Sequence, residues 1–379
     1  MIILGIETSC DETAAGVLEI RKTRAGFFIH PLSSVISSQI KIHRKYGGVV
    51  PMLASREHTK NISIVAKKAL KQAFQSESEK EVISKIDLIA VTKGPGLILS
   101  LLIGLNFAKT LAWKWDKPII GVNHLEGHLL SFLLPQKTEN SKQIYNIKSV
   151  FPSICLLVSG GNTQIIYVKD IGKYKIIGET RDDAAGECFD KGARILGLSY
   201  PGGPAIAAEA EKYRILNTRL LCFAKRSGQA QYRIQKLPRP MIDSKNYDFS
   251  FSGLKTALLY LTQDIGPKKV KRYRSAIAYE FQEAITDVLV KKTMKAAKEF
   301  ETKSIILAGG VSANKRLKEK FEERIKKERL NIKLLVPKLE YATDNAIMIA
   351  LAGFFQYIKH GKKFFDWRKI EADSNLRLT

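Results

Sequence analysis

Short apolar runs alternate with longer amphipathic stretches along the chain, and the two patterns predict different elements. Short runs bounded by polar turns predict strands, whereas apolar residues that recur at every third or fourth position predict helices. On this basis, the first part of the chain predicts strands at 1–7, 14–20, 27–37, 86–96 and 117–123, and helices at 59–74 and 99–115.

The later part of the chain repeats this order of elements. Two strands flank a Gly-Gly turn within 151–170, and a third strand is predicted at 174–180. The remaining predicted elements are helices at 185–198, 274–300, 315–328 and 342–359, a strand that ends in a glycine-rich turn at 304–314, and a strand at 332–341. The repetition predicts an α/β protein of two lobes, each with a mixed sheet covered by helices.

We call these two parts of the chain the first and the second pass. Their matching order of elements predicts which residues lie at the junction of the lobes. His124 and His128 follow the last strand of the first pass, and Asp344 begins the helix after the last strand of the second. If a pseudo-twofold axis relates the lobes, these three residues meet between them. We expect an N-terminal lobe of residues 1–128, a C-terminal lobe of residues 129–344 that carries most of a nucleotide site, and a C-terminal helix at 345–379 that packs back on the first lobe.

His124 and His128 lie on one face of a helix, about 40° apart. Two histidines and one carboxylate form a metal site with open positions, so Asp344 completes a candidate ligand set. The alternative is that the histidines are satisfied by the backbone and that Asp344 is an ordinary N-cap or first-turn acid. Glu126 lies about 200° from His124, whereas the glutamate of a zinc protease directly follows the first histidine.

Glycine-rich turns end two strands of the second pass, at 159–161 and 308–314. Glycine lets backbone N–H groups approach an anion closely, and the N-terminus of a following helix adds a favourable dipole. Ligands of α/β sheets bind beyond the carboxyl ends of the strands. The paired turns therefore predict a nucleotide cleft.

Composition and charge narrow the class of protein. The length of 379 residues suits two domains, and an apolar fraction of 45% is sufficient for a globular core. The net charge of +25 favours a polyanionic partner, nucleic acid before membrane, although a generally basic proteome is the alternative. Four scattered cysteines, no apolar run long enough for a membrane span and no signal-peptide pattern predict a cytoplasmic protein without a membrane partner.

Several motifs, in order along nearly the whole chain, resemble the universal tRNA threonylcarbamoyladenosine synthase family. This family, the TsaD group, was once described as O-sialoglycoprotein endopeptidases, and the resemblance is of the bacterial type. The motifs are "GIETSCDETAAGV", "SSQIKIHRKYGGVVPMLASREH", "KGPGLILSLLIGLNFAK", "NHLEGH", "LVSGGNTQ", "DDAAGECFDKGARILGLSYPGGPAI", "FSFSGLKTA", "AGGVSANKRL" and "TDNAIMIA".

The resemblance implies a fold and a reaction. The fold is a duplicated actin/hexokinase/Hsp70-like (ribonuclease H-like) arrangement of two lobes with mixed sheets and an interlobe cleft. The reaction transfers the threonylcarbamoyl group of threonylcarbamoyl-AMP to N6 of the adenosine just 3′ of the anticodon in tRNAs that read ANN codons, with release of AMP.

The resemblance also implies site residues. His124, His128 and Asp344 match the ligands of one Fe(2+) per subunit, for which zinc or another divalent metal can substitute. Asp11 and Glu12 match an acidic pair near the phosphate region and are the catalytic candidates. Contacts to an adenine nucleotide or threonylcarbamoyl-AMP are implied for Leu157, Val158, Ser159, Gly160, Gly161, Asp190, Gly203 and Asn314. Asn162 stands where many members have a histidine, so no mechanism can require an imidazole there.

The partners implied by the resemblance are tRNA and either a paralogous TsaB-type subunit with a TsaE-type ATPase or a second copy of the chain in a homodimer. Three rival functions stay open from the sequence. A metallopeptidase is disfavoured by the placement of Glu126. A sugar kinase or ATPase of the same fold would need a magnesium-positioning acid, which Asp11 could supply. The intact metal and glycine motifs argue against a catalytically silent scaffold.

One basic segment is our candidate for the RNA surface, because its cations are interleaved with proline and an aromatic residue. Its members are Lys225, Arg226, Arg233, Lys236 and Arg239, with Tyr232 available to stack. The alternative is a solvated loop, and the next candidate is the basic helix around Lys326, Lys327 and Arg329. The polar stretch 135–148 predicts a flexible loop.

Overall fold

Two mixed sheets and eleven α-helices make up the part of the chain that the computed structural model describes. That part comprises residues 1–24, 26–76, 78–135, 144–145, 147–224, 235–361 and 366–378. Among these residues, no helix is both long and apolar enough to span a membrane.

Six strands form the first sheet: β1 (Ile2–Glu7), β2 (Glu12–Thr23), β3 (Gly26–Ser38), β4 (Leu88–Gly94), β5 (Ile119–Asn123) and β6 (Ile144–Tyr145). Their order is β5-β4-β1-β2-β3-β6. The strands β1, β2 and β3 form an antiparallel meander, and β4 and β5 extend it in parallel with β1. The short β6 pairs with the start of β3, so a strand from beyond residue 128 joins the first sheet.

Five strands form the second sheet: β7 (Ser153–Val158), β8 (Thr163–Asp170), β9 (Lys173–Glu179), β10 (Ser304–Ala308) and β11 (Lys333–Leu335). Their order is β11-β10-β7-β8-β9, with the same parallel and antiparallel pairings as β5-β4-β1-β2-β3. The repetition expected from the hydrophobic pattern is therefore confirmed. The division of the chain at residues 128 and 344 stays a proposal.

The helices α1 (Ile40–His43), α2 (Pro51–Phe74), α3 (Glu79–Lys85), α4 (Ile98–Trp115) and α5 (His124–Leu130) belong to the first pass. The second pass contains α6 (Ala185–Ile195), α7 (Gly202–Ala224), α8 (Ser252–Glu299), α9 (Lys315–Lys327), α10 (Leu339–Ala342) and α11 (Ala346–His360). The long α8 is interrupted at Gly266, which has a φ of 75° and is followed by Pro267. Both residue types break a helix, glycine through its positive φ and proline through its missing N–H.

Three boundaries differ from the sequence-based expectation. The predicted C-terminal helix at 345–379 ends at His360, because Gly361 turns the chain out of the helix with a φ of 66°. The helix predicted at 59–74 begins earlier, at Pro51, a residue type suited to the first helical position. The strand predicted at 332–341 is limited to Lys333–Leu335, and the short α10 follows it.

The helices α5 and α11 lie in a hydrophobic cluster that both sheets share. The cluster contains Leu125 and Leu129 of α5, Ile347 and Leu351 of α11, and Leu157 of β7, all of them buried. The two lobes are therefore joined by a continuous core rather than by a thin linker.

Glycines in the first sheet and in α11 let the helix approach the strands closely. A β-carbon added to Gly5 of β1 would lie 2.0 Å from the carbonyl oxygen of Ala346, and one added to Gly353 would lie 2.6 Å from the β-carbon of Ala90. Real atoms cannot approach so closely, so these contacts set the distance between α11 and the sheet. Asp344 directly precedes α11 and takes its position from this packing.

We expect Gly5→Ala to lower the free energy of unfolding by about 3 kcal/mol, at the upper end of overpacking costs, because the neighbouring atom is backbone. Urea titration at constant m-value measures this change. Gly253→Ala is the matched control, since a β-carbon there meets nothing within 4 Å. Equal midpoints for the two variants would show that α11 can move away from β1 at little cost.

Candidate metal centre and active site

His124 and His128 of α5 meet Asp344 at the start of α11. The Oδ1 atom of Asp344 lies 3.0 Å from Nε2 of His128 and 3.4 Å from Nε2 of His124. One donor atom from each residue lies within 4.8 Å of the others. The histidine side chains are buried, whereas 21% of the Asp344 side chain is exposed, so the group is open on one side.

Asparagines, not the candidate ligands, cap the two helices. The Asn123 side chain accepts a hydrogen bond from the backbone N–H of Leu125, and the Asn345 side chain accepts one from Met348. Asp344 is therefore neither the N-cap nor a first-turn residue of α11, which removes the ordinary interpretation of this acid. It lies just before the helix that we expected it to begin.

Glu7, at the end of β1, contacts the ring nitrogen of His124 that faces away from Asp344. Its Oε2 lies 2.9 Å from Nδ1 of His124 and accepts a hydrogen bond from the Thr92 hydroxyl. Its Oε1 accepts one from the backbone N–H of Ser9. A carboxylate on Nδ1 fixes the tautomer that leaves Nε2 as a metal ligand. Sequence reasoning missed Glu7, although an acid in an otherwise buried apolar strand signals a charged partner.

The buried carboxylates around His124 stabilise positive charge at this site. Burial lowers the pKa of His124, but the charges of Glu7 and Asp344 outweigh this effect and raise it well above its usual range. Burial raises the pKa of Asp344, yet His124 and His128 together hold it far below its usual range. In the absence of another cation, a proton on His124 offsets part of the charge of the two carboxylates.

The donor set fits a divalent cation. Ligand atoms about 2.1 Å from a shared ion lie about 3.0 to 3.4 Å apart, from octahedral to tetrahedral geometry, and both nitrogen–oxygen separations fall in this range. Two imidazoles and one carboxylate with an open side suit iron(II) and also zinc. A bound cation would supply the positive charge that the proton on His124 supplies in its absence.

Glu126 points away from the donor set. Its carboxylate accepts hydrogen bonds from the Tyr174 hydroxyl at 2.8 Å and from the Gln356 side chain at 2.5 Å. Tyr174 belongs to β9 and Gln356 to α11, so Glu126 ties α5 to the second sheet and to α11. The placement of Glu126 on the opposite face of α5, inferred from helix geometry, is confirmed. Glu126 is therefore not placed to act as the general base of a zinc protease.

Asp11 lies just before β2 and is buried, and Glu12 begins β2 and is half-buried. Burial, followed by the charges of Asp11 and Asp344, raises the pKa of Glu12 to about 10. The raised pKa favours the protonated form of Glu12, which donates a hydrogen bond rather than abstracting a proton. Burial also raises the pKa of the neighbouring Cys10 thiol, which disfavours Cys10 as a nucleophile.

The two glycine turns of the second sheet lie side by side, where β7 and β10 end. Gly160 and Gly161 are exposed, and a β-carbon added to either meets nothing within 4 Å. Gly309 has a φ of 81°, and a β-carbon there would lie 2.5 Å from the Val158 carbonyl oxygen. Leu157 and Val158 bury their side chains in the core, so only their backbone can contact a ligand.

The other predicted nucleotide contacts also have roles within the protein. Asp190 accepts a hydrogen bond from the backbone N–H of Gly202 at 2.6 Å and so caps α7, next to the open surface at Gly203. Asn314 caps α9, and its amide donates to the Gln282 side chain at 3.0 Å. Ligand roles for these residues stay predictions.

Comparison with known proteins decides the family. The family model "TsaD: tRNA N6-adenosine threonylcarbamoyltransferase" matches residues 30–351. The chain belongs to this family. A member from Thermosipho africanus is 47% identical over 378 residues and is covered, like this chain, along 100% of its length. The Bacillus subtilis member is 40% identical over 379 residues, covering 100% of this chain and 96% of that protein.

The TsaD fold also resembles a more distant solved structure. Full-length HypF, crystallised in a phosphate- and nucleotide-bound form, matches 96% of this chain with a TM-score of 0.53 and 14% identity. This chain spans 47% of the HypF chain, so the likeness concerns the fold alone. The expected actin/hexokinase-like architecture of this TsaD member is confirmed.

We expect Asp344→Ala and His124→Ala each to abolish metal binding, because either change leaves two of the three donors. Glu7→Gln should weaken metal affinity by about 10- to 100-fold, since it removes the carboxylate that orients His124. Elemental analysis of purified protein and competition with a chelator measure these effects. His30→Ala, which removes an exposed histidine of the same lobe, should leave metal content unchanged. Full metal content in both ligand variants would place the ion elsewhere.

Proposed function

We propose that the chain transfers the threonylcarbamoyl group from threonylcarbamoyl-AMP to N6 of the adenosine 3′ of the anticodon in tRNAs that read ANN codons. Family membership along the whole chain is the observation that carries this proposal. The His124–His128–Asp344 group beside the cleft supports it. The reaction is acyl transfer from a mixed anhydride to an exocyclic amine, with AMP as the leaving group.

His124, His128 and Asp344 would hold one metal ion, for which iron(II) is our choice. The ion would supply Lewis acidity to a carbonyl or phosphate oxygen of the substrate. Glu7 keeps the Nδ1 proton of His124 in place, so that Nε2 faces the cleft. The buried core beneath α5 and α11 keeps these side chains in one arrangement.

The backbone of the glycine turns would bind the adenylate part of the substrate. Gly160 and Gly161 leave their peptide groups uncovered, and Gly309 packs the second turn against the first. Uncovered N–H groups next to a helix N-terminus stabilise phosphate charge without a side chain. Asp190 and Gly203 line the neighbouring surface at the start of α7.

Direct transfer to the adenine amine suits the acid-rich turn. Cys10 is held as a thiol, so a covalent acyl-enzyme through this residue is disfavoured. Protonated Glu12 would donate a hydrogen bond to substrate oxygen, and Asp11 would orient the amine. These roles rest on the positions of the two acids beside β1.

The rival functions receive less support. A metallopeptidase needs a base next to the metal, and Glu126 is bonded on the opposite face of α5. The silent scaffold has no need for the three converging donors. We place the reaction in the cytoplasm, with a TsaB-type subunit and a TsaE-type ATPase as the expected accessory proteins and a homodimer as the alternative.

Reconstitution tests the function directly. Purified protein, metal, threonylcarbamoyl-AMP and an ANN-reading tRNA should yield the threonylcarbamoylated nucleoside, detected by mass spectrometry after digestion of the RNA. The same tRNA with guanosine 3′ of the anticodon is the matched control and should stay unmodified. Absence of product with the accessory proteins present, together with glycoprotein cleavage that His124→Ala abolishes, would favour the metallopeptidase.

Gly160→Val should weaken adenine nucleotide binding by about tenfold or more, because a branched side chain covers the peptide groups that face the phosphate. The fold should persist, since a β-carbon at Gly160 meets nothing within 4 Å. Calorimetric titration with AMP measures the affinity, and a melting curve checks the fold. Gly48→Val changes an equally open glycine in the other lobe and should bind as the parent does. Parental affinity in folded Gly160→Val would exclude this turn from the site.

A further inference from the structure

A basic segment lies beside the cleft and has no acidic residue. Residues 39–56 contain no aspartate or glutamate. Lys41, Arg44 and Lys45 are exposed, and Tyr46 exposes 52% of its surface. Among the described residues, no carboxylate forms an ion pair with any of these three cations, and the Lys45 ammonium lies 5.3 Å from the Tyr46 ring centre. We call Lys41, Arg44, Lys45 and Tyr46 the basic clasp.

Buried polar contacts fix the basic clasp against the turn that carries the acidic pair. The backbone N–H of Gln39 donates to the Asp11 carbonyl at 3.0 Å, and the Gln39 side chain lies 3.1 Å from Nε2 of the buried His43. Nε2 of the buried His58 lies 2.9 Å from the Cys10 carbonyl oxygen. The exposed cations are thus held at a set position relative to Asp11.

The basic clasp also reaches across the cleft to the second lobe. The Arg44 guanidinium donates to the Tyr200 carbonyl at 3.1 Å, and Arg194 of α6 donates to the Gly47 carbonyl at 2.6 Å. Burial, followed by the charges of Asp11 and Asp190, raises the pKa of the Tyr200 phenol. The segment therefore spans the mouth of the cleft.

We propose that the basic clasp binds the anticodon loop of the tRNA, an inference that rests on the function proposed above. For the acceptor amine to enter the cleft, the flanking nucleotides must cross its mouth, where the clasp lies. Single-stranded RNA is held by cations on its phosphates and by aromatic rings on its unstacked bases, and the clasp offers both. The N-terminus of α2, which has no side-chain cap and no acid in its first turn, adds positive potential.

Other basic regions are less suited to this role. Residues 225–234 of the segment named from the sequence lie outside the described residues. Within that segment, Arg239 is committed to ion pairs with Glu280 and Asp287, so its expected RNA contact is disfavoured.

Two pairs of variants test the surface. Lys41→Gln/Lys45→Gln removes two unpaired cations, and Lys326→Gln/Lys327→Gln removes two exposed cations of α9 as the matched control. Tyr46→Ala removes the ring, Tyr46→Phe restores it, and Tyr260→Ala, the control, removes an exposed tyrosine of α8. Arg44 is left intact because it bridges the two lobes.

The probe is a fluorescent anticodon stem-loop RNA, titrated with the full chain at several salt concentrations. The double clasp variant should flatten the slope of log K against log salt by about 0.7 for each lost phosphate contact. Tyr46→Ala should weaken binding roughly 5- to 150-fold, and Tyr46→Phe should restore it. In turnover assays the double clasp variant and Tyr46→Ala should raise the KM for RNA and leave kcat at saturating RNA unchanged. Their affinity for AMP should also stay unchanged.

Three outcomes would contradict the proposal that the basic clasp binds RNA. The clasp variants would keep the parental slope and affinity, or Tyr46→Phe would bind as weakly as Tyr46→Ala, or the α9 pair would lose the slope instead. Failure of the function itself is a separate result. In that case the parent chain makes no modified nucleoside, while the RNA titrations still decide whether the clasp binds RNA.

Discussion

The close approach of α11 to the first sheet determines where the donor set forms. Asp344 precedes α11 and belongs to the second pass of the chain, whereas His124 and His128 follow the first sheet. The two meet because Gly5 allows the Ala346 carbonyl into the space of a side chain. Gly127, on α5, allows the Ile349 side chain to pack to within 3.0 Å of where a β-carbon would lie. The separations among the three donors are thus set by packed helices, whose positions change less easily than those of residues on a loop.

Charge balance imposes a second constraint on the same place. Glu7 is fully buried, and it is stabilised by His124, Thr92 and Ser9 rather than by water. With Asp344 opposite, His124 lies between two carboxylates. Burial of such a group is favourable only when a cation joins it, whether a proton or a metal. The cost of leaving the acids uncompensated explains why an ion site can persist in a region otherwise built from apolar contacts.

Much of the fold was predictable because the apolar runs repeat in the same order, and periodicity alone distinguishes strands from helices. The angle between Glu126 and the histidines followed from helix geometry. The partners of these residues could not be predicted. Glu7 meets His124 across 117 positions of sequence, and the contact of Arg44 with the Tyr200 carbonyl depends on how the lobes close. Pairings of this kind depend on tertiary packing, which local patterns do not encode. The apolar pattern at 342–359 predicted the end of α11 to within one residue of His360, whereas the helix assigned to 345–379 overlooked the turn at Gly361.

The two faces of α5 link the geometry of the donors to the orientation of the lobes. The histidine face meets Asp344, and the opposite face holds Glu126 between Tyr174 of β9 and Gln356 of α11. A rotation of the second sheet relative to the first would have to break the Tyr174 bond or turn α5 with it. The Arg44 and Arg194 contacts join the lobes at a second place, so such a rotation would have to break or strain these hydrogen bonds as well.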